Sequence, residues 1–419
     1  MAKGQNPFEG LKVLEFAWVV VGPLTGQYLS HYGATVIKIE SHRHLDRARL
    51  FSFGEDQVGG LNTSGGFSDL NTSKYSATLD LGKEKGREIA WRLIDWADVV
   101  TESFAPGTMA RWGLDYESVS KVKPDIIYFS TTQFGQTGPQ AKFGGFGINA
   151  LAVSGILELS GWPGGERTPP SAGYPDFTNP PIGASLIIAA LDYKRRTGKG
   201  LYIDQSQVET CEHFIAPVLM DYLVNGNIAS CSGNRVAYAC PHGVYPCRGE
   251  DCWCAIAVTT DEQWMALCKA IGQPEWARGP KFASLEERKA NEDELDGLIR
   301  EWTKQQDPRH LEELLQSAGV PASCVETAED LLKDPQLEHH GYFHLLKHKE
   351  IGVHVHEVSP FKFSTIPTRM FAAPCIGEHN EYVYHDILGL SHDEISDLMA
   401  EGVITTEANL PPGLVQKKD

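Results

Sequence analysis

One carboxylate, Asp176, has the surroundings that a covalent nucleophile needs. It lies in a stretch rich in proline and glycine, residues 169–181, whose restricted backbones predict a fixed, non-helical segment. The apolar run at residues 182–191 predicts a buried helix that starts after it, with cations in the last turn and Gly198 as the stop. The carboxylate would stand just ahead of this helix, near N–H groups that stabilise negative charge. Such a carboxylate can be a nucleophile, and a helix cap or a loop salt bridge is the structural alternative.

The composition restricts the class of protein and its partners. The chain has 419 residues, of which 42% are hydrophobic and 22% charged, as in a globular protein with two or three domains. The formal net charge of −18 disfavours nucleic acid as a partner, because phosphate backbones need a basic face. No apolar stretch approaches the ~18 residues of a membrane span, and the first residues lack a signal core. We therefore expect a cytoplasmic protein with no membrane partner.

Clusters of cysteine and histidine raise the question of a metal site. Four cysteines lie close together in the sequence: Cys240, Cys247, Cys252 and Cys254. They lack the paired C-x2-C spacing of zinc knuckles, so they predict buried free thiols. His354 and His356 alternate as neighbours on a strand do, but no third ligand is indicated. We expect no metal site.

Alternating strand and helix patterns predict the fold class. Strands are predicted at residues 11–17, 34–40, 97–104, 125–131 and 201–205, and helices at residues 22–31, 83–96 and 116–122. This repetition indicates an α/β protein with a parallel sheet of Rossmann type. The first turn contains Gly22-Pro23 and no G-x-G-x-x-G, and no P-loop motif occurs. Dinucleotide binding and ATP-driven chemistry therefore have no support.

The rest of the chain predicts a second, smaller domain. Residues 206–224 predict one long helix, and a hairpin at residues 243–258 with amphipathic helices at 262–271 and 292–305 predicts an α+β domain. We place the large domain at residues 1–205 and a linker helix at 206–232. The small domain then covers residues 233–345, and residues 346–419 return to the large domain.

Several segments resemble, in this order, one family: the class III CoA-transferases, also called the CaiB/BaiF or formyl-CoA transferase family. The matching segments are residues 14–16, 22–23, 33–40, 71–74, 102–107, 191–200, 204, 360–363 and 377–379. Each is weak alone, but together they span nearly the whole chain. The resemblance implies a Rossmann-like large domain formed by both chain ends, a smaller domain between them, and two subunits interlocked like rings of a chain.

The resemblance assigns roles to individual residues. Asp176 takes the place of the family's catalytic aspartate, before the helix that ends R-x-T-G-x-G. The positions that match the family's CoA contacts are Val19, Val20, Val21, Ser41, Lys74, Ser103, Phe104, Arg111 and Trp112. Relatives often have arginine at the position of Ser41, where Arg43 could substitute. Without the family, Lys74 and Arg111 would be interpreted as solvated surface charges.

The activity implied is transfer of CoA from an acyl-CoA donor to a free carboxylic acid through an aspartyl-CoA intermediate. A CoA thioester is then a substrate, and no tightly bound cofactor is expected. The protein partner is a second copy of the chain or a homologous subunit. The glycine-rich loop with which relatives cover the site is missing, and its nearest candidates are residues 233–235 and 241–243.

Two alternatives stay open, and the acceptor acid is not determined. Racemases of 2-methylacyl-CoA in this family use a histidine in a G-H-D-I-N-Y segment, where this chain has Phe146, which cannot move a proton. The chain could also be a non-catalytic CoA-binding subunit. Several aromatic residues favour an aromatic or bulky acid, with core packing as the alternative: Phe16, Trp18, Phe143, Phe146, Trp162, Tyr174 and Phe177. General resemblance suggests succinyl-CoA as donor and a benzylsuccinate-like acceptor.

Overall fold

A six-stranded parallel sheet organises the chain, of which the computed structural model describes residues 6–50, 60–171 and 173–410. Its strands are β1 (Lys12–Glu15), β2 (Thr35–Glu40), β3 (Tyr75–Thr78), β4 (Val99–Glu102), β5 (Ile127–Thr132) and β6 (Leu201–Ser206). Their order in the sheet is β3-β2-β1-β4-β5-β6, and every neighbouring pair is parallel. This is the strand order of a Rossmann fold, so the predicted fold class is confirmed.

The remaining strands pair antiparallel. They are β7 (His242–Pro246), β8 (Trp253–Ala257), β9 (Ala322–Cys324), β10 (Phe343–His348) and β11 (Gly352–Glu357). The helices up to β7 are α1 (Val21–Ser30), α2 (Gly65–Leu70), α3 (Glu84–Trp96), α4 (Thr108–Trp112), α5 (Tyr116–Val122), α6 (Gly147–Val153), α7 (Ile156–Leu159), α8 (Tyr174–Thr197), α9 (Gln207–Phe214) and α10 (Ala216–Asn225). Later helices are α11 (Asp261–Ala270), α12 (Leu285–Ala290), α13 (Glu292–Thr303), α14 (Pro308–Ser317), α15 (Ala328–Leu331), α16 (Pro335–His340) and α17 (His392–Ala400). A π-helical turn at Tyr382–Ile387 precedes α17.

The first five strands of the large sheet are buried along most of their length, as expected for a parallel sheet covered by helices, whereas the edge strand β6 is partly exposed. Because successive side chains point to opposite faces, Val13 and Leu14 of β1 belong to different cores. Val13 packs in a cluster with Ile187 of α8, and Leu14 packs in a second cluster with Leu93 of α3. The sheet therefore supplies a rigid support for the loops at the ends of its strands.

Helix α8 begins earlier than the sequence predicts, and this corrects the expected non-helical setting of Asp176. The helix starts at Tyr174, with Asp176 in its first turn and two prolines inside it, Pro180 and Pro181. Interior prolines disfavour a helix because they lack an N–H group. Close packing overrides this preference. A Cβ at Gly183 would lie only 2.9 Å from Phe129 Cζ, so the glycine lets α8 lie directly against β5.

The single helix predicted at residues 206–224 is wrong, because the chain forms two helices, α9 and α10. The break falls at Ile215, whose backbone has φ −110° and ψ 14°. Pro217 lies in the first turn of α10, where its missing N–H costs nothing. Without that N–H, a proline at this position cannot continue α9. The direction of the chain can thus change between the two helices.

The described residues divide into two compact units. The first comprises the described residues within 1–157, 169–227 and 339–419, and the second comprises those within 158–168 and 228–338. The second unit contains the sheet β7-β8-β9 and a core with Trp264 and Leu295, so the smaller α+β part is confirmed. The domain limits predicted above stay predictions, because compactness does not show which segments fold independently.

The cysteines are free thiols in the structure. Cys240, Cys247 and Cys254 are buried and Cys252 is partly exposed, and the three buried ones belong to the core of the second unit. Burial raises the pKa of Cys254 to about 12, which favours the thiol over a thiolate ligand. In the part of the chain that the structure describes, no helix is both long and apolar enough to cross a membrane.

Candidate active site

Asp176 lines a cavity of about 270 Å³ in the first unit. The β1–α1 turn contributes Val19, Val20 and Val21, and the segment after β4 contributes Ser103 and Phe104. Strand ends and helix starts meet at such edges of parallel α/β sheets, where ligands commonly bind. Six of the eleven residues singled out from the sequence therefore line one cavity: Val19, Val20, Val21, Ser103, Phe104 and Asp176.

The Asp176 carboxylate is partly buried, and burial raises its pKa to about 6. Among the residues that the structure describes, no charged neighbour contributes to this shift, although the first turn of α8 favours an anion through the helix dipole. At neutral pH the group is still a carboxylate, but it is more basic than an exposed aspartate. A poorly solvated carboxylate of higher basicity is suited to attack an electrophilic carbonyl carbon.

The β1–α1 turn is held in an unusual backbone conformation. Val19 has φ +68°, which is costly for a β-branched residue. Its N–H donates to Asp46 Oδ1 at 2.9 Å, and Asp46 in turn pairs with Lys38 Nζ at 2.8 Å. A buried ion pair thus stabilises a strained wall of the cavity.

The segment after β4 is fixed against this turn by polar and aromatic contacts. The backbone N–H of Trp18 donates to Ser103 Oγ at 2.9 Å. The Trp18 and Phe104 rings pack edge to face with centroids 4.8 Å apart, and Phe104 packs in the same way on Trp112 at 5.7 Å. Trp112 therefore supports Phe104 from behind and does not itself line the cavity.

Lys74 does not have the exposed position that the sequence suggests. Its side chain is fully buried, and Nζ donates to Glu15 Oε1 at 2.9 Å, Pro23 O at 2.6 Å and Asn71 Oδ1 at 3.1 Å. Burial lowers the pKa of Lys74 to about 8, and Glu15 opposes that change. With its protons engaged by these acceptors, Lys74 fits a structural ion pair below α1 and neither a solvated cation nor a direct phosphate contact.

The other predicted CoA contacts lie outside the lining of the cavity. Ser41 is buried, and its Oγ accepts the N–H of His44 at 3.1 Å. Arg43 is exposed, as is Arg111 of α4. Arg111 donates to Thr108 Oγ1 at 3.0 Å. Both guanidinium groups can reach an anionic ligand in solvent.

Sequence reasoning missed several groups at this site. Lys142 and Gln133 line the cavity, and Glu102 is a buried acid at the end of β4. An acidic residue within the apolar run of β4 could have signalled Glu102. Nothing in the sequence near Lys142 marks it as different from a surface lysine.

The aromatic residues expected around the acceptor acid separate into those that line the cavity and those that do not. Trp18, Phe143 and Phe146 line the cavity, and Phe104 joins them. Phe16 is 1% exposed and belongs to the core. The remaining three, Trp162, Tyr174 and Phe177, do not line the cavity.

One group of possible metal ligands occurs among the described residues, away from the cavity. Glu381, His385 and His392 are exposed, with their ligand atoms within 4.8 Å of one another. His392 Nδ1 lies 3.0 Å from Glu381 Oε1, and the two imidazole rings stack 4.6 Å apart at 17°. Parallel rings direct their nitrogen lone pairs along separate planes and not toward one point. The arrangement therefore fits a surface contact between His392 and Glu381 and carries no metal assignment.

Comparisons with known proteins identify the family of this chain. The family model for CoA-transferase family III matches residues 8–380. The succinyl-CoA–D-citramalate CoA-transferase of Chloroflexus aurantiacus is 31% identical over 409 residues, which cover 95% of this chain and 98% of the relative. The succinate–glutarate CoA-transferase of Agrobacterium fabrum is 31% identical over 390 residues, with 92% and 97% covered.

A solved structure supports the same grouping. The CAIB/BAIF family protein from Brucella suis superposes with a TM-score of 0.82 at 32% identity, covering 91% of this chain and all of the other. The family match spans the parallel sheet, the cavity and Asp176. The chain therefore belongs to CoA-transferase family III and is a class III CoA-transferase.

Proposed function

We propose that this enzyme transfers CoA from succinyl-CoA to a free carboxylic acid through a covalent intermediate on Asp176. The observation that supports this most directly is the Asp176 carboxylate itself, partly buried in the cavity with its pKa raised by burial to about 6. The donor follows from the two relatives, whose names include succinyl-CoA and succinate.

In the first half-reaction, Asp176 attacks the thioester carbonyl carbon of the donor. The C–S bond breaks, CoA leaves as a thiolate, and a mixed anhydride between the donor acid and Asp176 remains. The thiolate then attacks the Asp176 carbonyl carbon of that anhydride, which releases the donor acid as a carboxylate. The result is a thioester between Asp176 and CoA.

The second half-reaction repeats these steps in reverse. The acceptor carboxylate attacks the aspartyl thioester, and CoA thiolate leaves again. The thiolate then attacks the acceptor carbonyl carbon, which forms the new acyl-CoA and regenerates the Asp176 carboxylate. One thioester is exchanged for another, so no ATP is consumed. Each tetrahedral intermediate carries a negative oxygen that fixed N–H donors would stabilise.

The cavity disfavours racemisation of an acyl-CoA. That reaction needs a second acid–base group on the other face of the α-carbon. Phe146 lines the cavity where racemases of the family have a histidine, and no histidine is among the described residues that line it. Asp176 alone cannot serve both faces.

We propose that CoA is held by two groups of residues. Val19, Val20, Val21, Ser103 and Phe104 form the cavity wall and suit the pantetheine arm, which is largely uncharged. Arg43 and Arg111 are exposed guanidinium groups that suit phosphate, which arginine binds through charge-assisted hydrogen bonds. A chain of net charge −18 repels CoA at long range, so these cations matter most at low salt.

The acceptor proposed here is a bulky or aromatic acid such as benzylsuccinate. Trp18, Phe104, Phe143 and Phe146 line the cavity and would pack against an aromatic ring. Lys142, also in the lining, could neutralise a carboxylate. The relatives act on D-citramalate and glutarate by name, so small dicarboxylic acids are the alternative acceptors.

An assay of the purified chain tests this proposal. We expect CoA transfer from succinyl-CoA when the chain alone is incubated with a panel of acids including benzylsuccinate, citramalate, glutarate and malate, with products resolved by liquid chromatography. In heavy water the α-carbon of a 2-methylacyl-CoA should gain no deuterium. Rapid exchange would favour racemisation, and CoA binding without transfer to any acid would indicate a non-catalytic subunit.

The enzyme is expected to be a dimer, interlocked with a second copy or with a homologous subunit. Helix α10 has no buried residue. Four of its apolar side chains are between 45% and 73% exposed: Leu219, Met220, Leu223 and Val224. An apolar helix of this kind is costly in water unless a partner covers it. Light scattering should give about twice the 46.2 kDa chain mass and resist dilution. An active monomer at micromolar concentration would contradict the proposal.

A further inference from the structure

Glu102, the last residue of β4, is a buried carboxylate whose charged neighbour is another acid. The residue is 2% exposed. Burial raises the pKa of Glu102 most strongly, and the negative charge of Asp204 of β6 raises it further. An ionised carboxylate in such a place is unfavourable unless hydrogen-bond donors replace the lost water.

Donors from two segments meet at this carboxylate. Phe104 N–H donates to Glu102 Oε2 at 2.7 Å, and Gln136 Nε2 donates to Oε1 at 3.0 Å. The Ser130 side chain of β5 also favours the charged form of Glu102. The N–H of Gln136 donates to both oxygens of Asp204 at 2.9 and 3.0 Å. Glu102 therefore ties the segment after β4 to the segment after β5.

The segment held by Glu102 is a wall of the active-site cavity. Residues 103–106 all line that cavity, and the backbone N–H that Glu102 accepts belongs to one of them, Phe104. Through Ser103 Oγ the same segment accepts the N–H of Trp18. A change in the Glu102 hydrogen bonds would thus shift the cavity wall without contact between Glu102 and the ligand.

We infer that Glu102 is a positioning residue for CoA transfer, whose ionised carboxylate holds residues 103–106 in the shape that binds acyl-CoA. The inference deepens the proposed function and rests on it, because the wall matters only if the cavity is the CoA site.

Protonation of Glu102 should therefore weaken acyl-CoA binding. Burial, with Asp204 adding to it, raises the pKa of Glu102 to about 7. In the described part of the chain, the other titratable groups that interact with it are Tyr128 of β5 and Tyr202 of β6, and neither is a cation. A neutral carboxyl accepts the Phe104 N–H less strongly than a carboxylate does. The KM for acyl-CoA should rise as pH falls through about 7.

The test compares KM and kcat of wild type and Glu102→Gln from about pH 5.5 to about pH 8.5. Glutamine has the same shape and mimics the neutral acid. For wild type we expect KM for succinyl-CoA to rise about fivefold toward acid, the difference between a charged and a neutral hydrogen bond. Glu102→Gln should show the high KM at every pH. Both should keep the same fall in kcat below about pH 6, because Asp176 is intact.

Glu117→Gln, an exposed glutamate of α5, serves as the matched control and should follow wild type. If Glu102→Gln also follows wild type at every pH, or if KM of wild type is independent of pH, the positioning role is overturned. Calorimetric titration with CoA distinguishes a failure of the positioning role from a failure of the proposed function. A wild type that binds CoA with the expected pH dependence but transfers nothing would overturn the proposed function and leave only the effect of Glu102 on CoA binding standing.

Discussion

Asp176→Asn should lose turnover by at least about a hundredfold while it still binds CoA, because the amide cannot form the anhydride that starts the reaction. Asp176→Ala should behave in the same way. Initial rates with succinyl-CoA measure the loss, and calorimetric titration with CoA measures the binding. In the wild type, kcat should fall as pH drops below about 6, where the Asp176 carboxylate takes up its proton.

Asp192→Asn is the matched control for this prediction. Asp192 lies on the same helix, is exposed and pairs with Arg195 and Arg196, so its loss should leave turnover unchanged. Hydroxylamine added during turnover should modify the peptide that contains Asp176, which mass spectrometry detects. Activity of Asp176→Ala above about a hundredth of wild type would refute the nucleophile assignment.

Asp176→Asn should also be more stable than wild type at neutral pH. The folded chain raises the pKa of Asp176 from 3.8 to about 6, so the folded state binds its proton more tightly than the unfolded state. Folding therefore loses stability as pH rises through that interval, by at most about 3 kcal/mol. Asparagine removes this loss. Thermal unfolding at pH 4 and pH 8 should show a gain only at the higher pH.

Lys74→Met should destabilise the protein by about 3–5 kcal/mol, the usual cost of removing one partner from a buried ion pair. The Glu15 carboxylate, fully buried, would keep only Lys38 as a cation, at 3.5 Å. Urea denaturation followed by tryptophan fluorescence measures the change. We expect the affinity of the folded protein for CoA to stay close to wild type, because Glu15, Pro23 and Asn71 already accept the protons of Lys74 Nζ.

Two further variants serve as controls for the Lys74→Met prediction. Lys74→Met combined with Glu15→Gln should recover part of the lost stability, because the unpaired charge is removed with its partner. Lys121→Met, at an exposed lysine of α5, should have no effect on stability. A Lys74→Met protein that is as stable as wild type but has a strongly raised KM for acyl-CoA would restore the direct phosphate contact.

The sequence by itself determined five of the six strands of the large sheet and missed β3 (Tyr75–Thr78). Each of those five strands, and each helix predicted between them, carries its own local signal, a short apolar run or a 3.6-residue period, and chain order then restricts the topology. The helix predicted at residues 116–122 occurs as α5 (Tyr116–Val122). The order of weak segments was also sufficient to identify the family, since it depends on spacing along the chain and not on contacts.

Only the tertiary structure decided how α8 begins and what Lys74 does. Prolines around Asp176 disfavour a helix locally, but packing of Gly183 against Phe129 outweighs that preference, and no local pattern contains such a contact. Lys74 meets Glu15 across 59 positions of sequence. A lysine gives the same sequence signal whether it is exposed or buried, and its role depends on which distant acid the fold brings to it.

The same reason applies to the active site as a whole. Asp176 could be selected from the sequence because its neighbours in the chain are unusual. Its raised pKa, the strained Val19 held by Asp46 and the hydrogen bond from Gln136 to the Glu102 carboxylate all arise between segments far apart in the chain. Burial and hydrogen-bond partners decide the charge and basicity of these groups. Only the folded arrangement of the strand ends sets that burial and those partners.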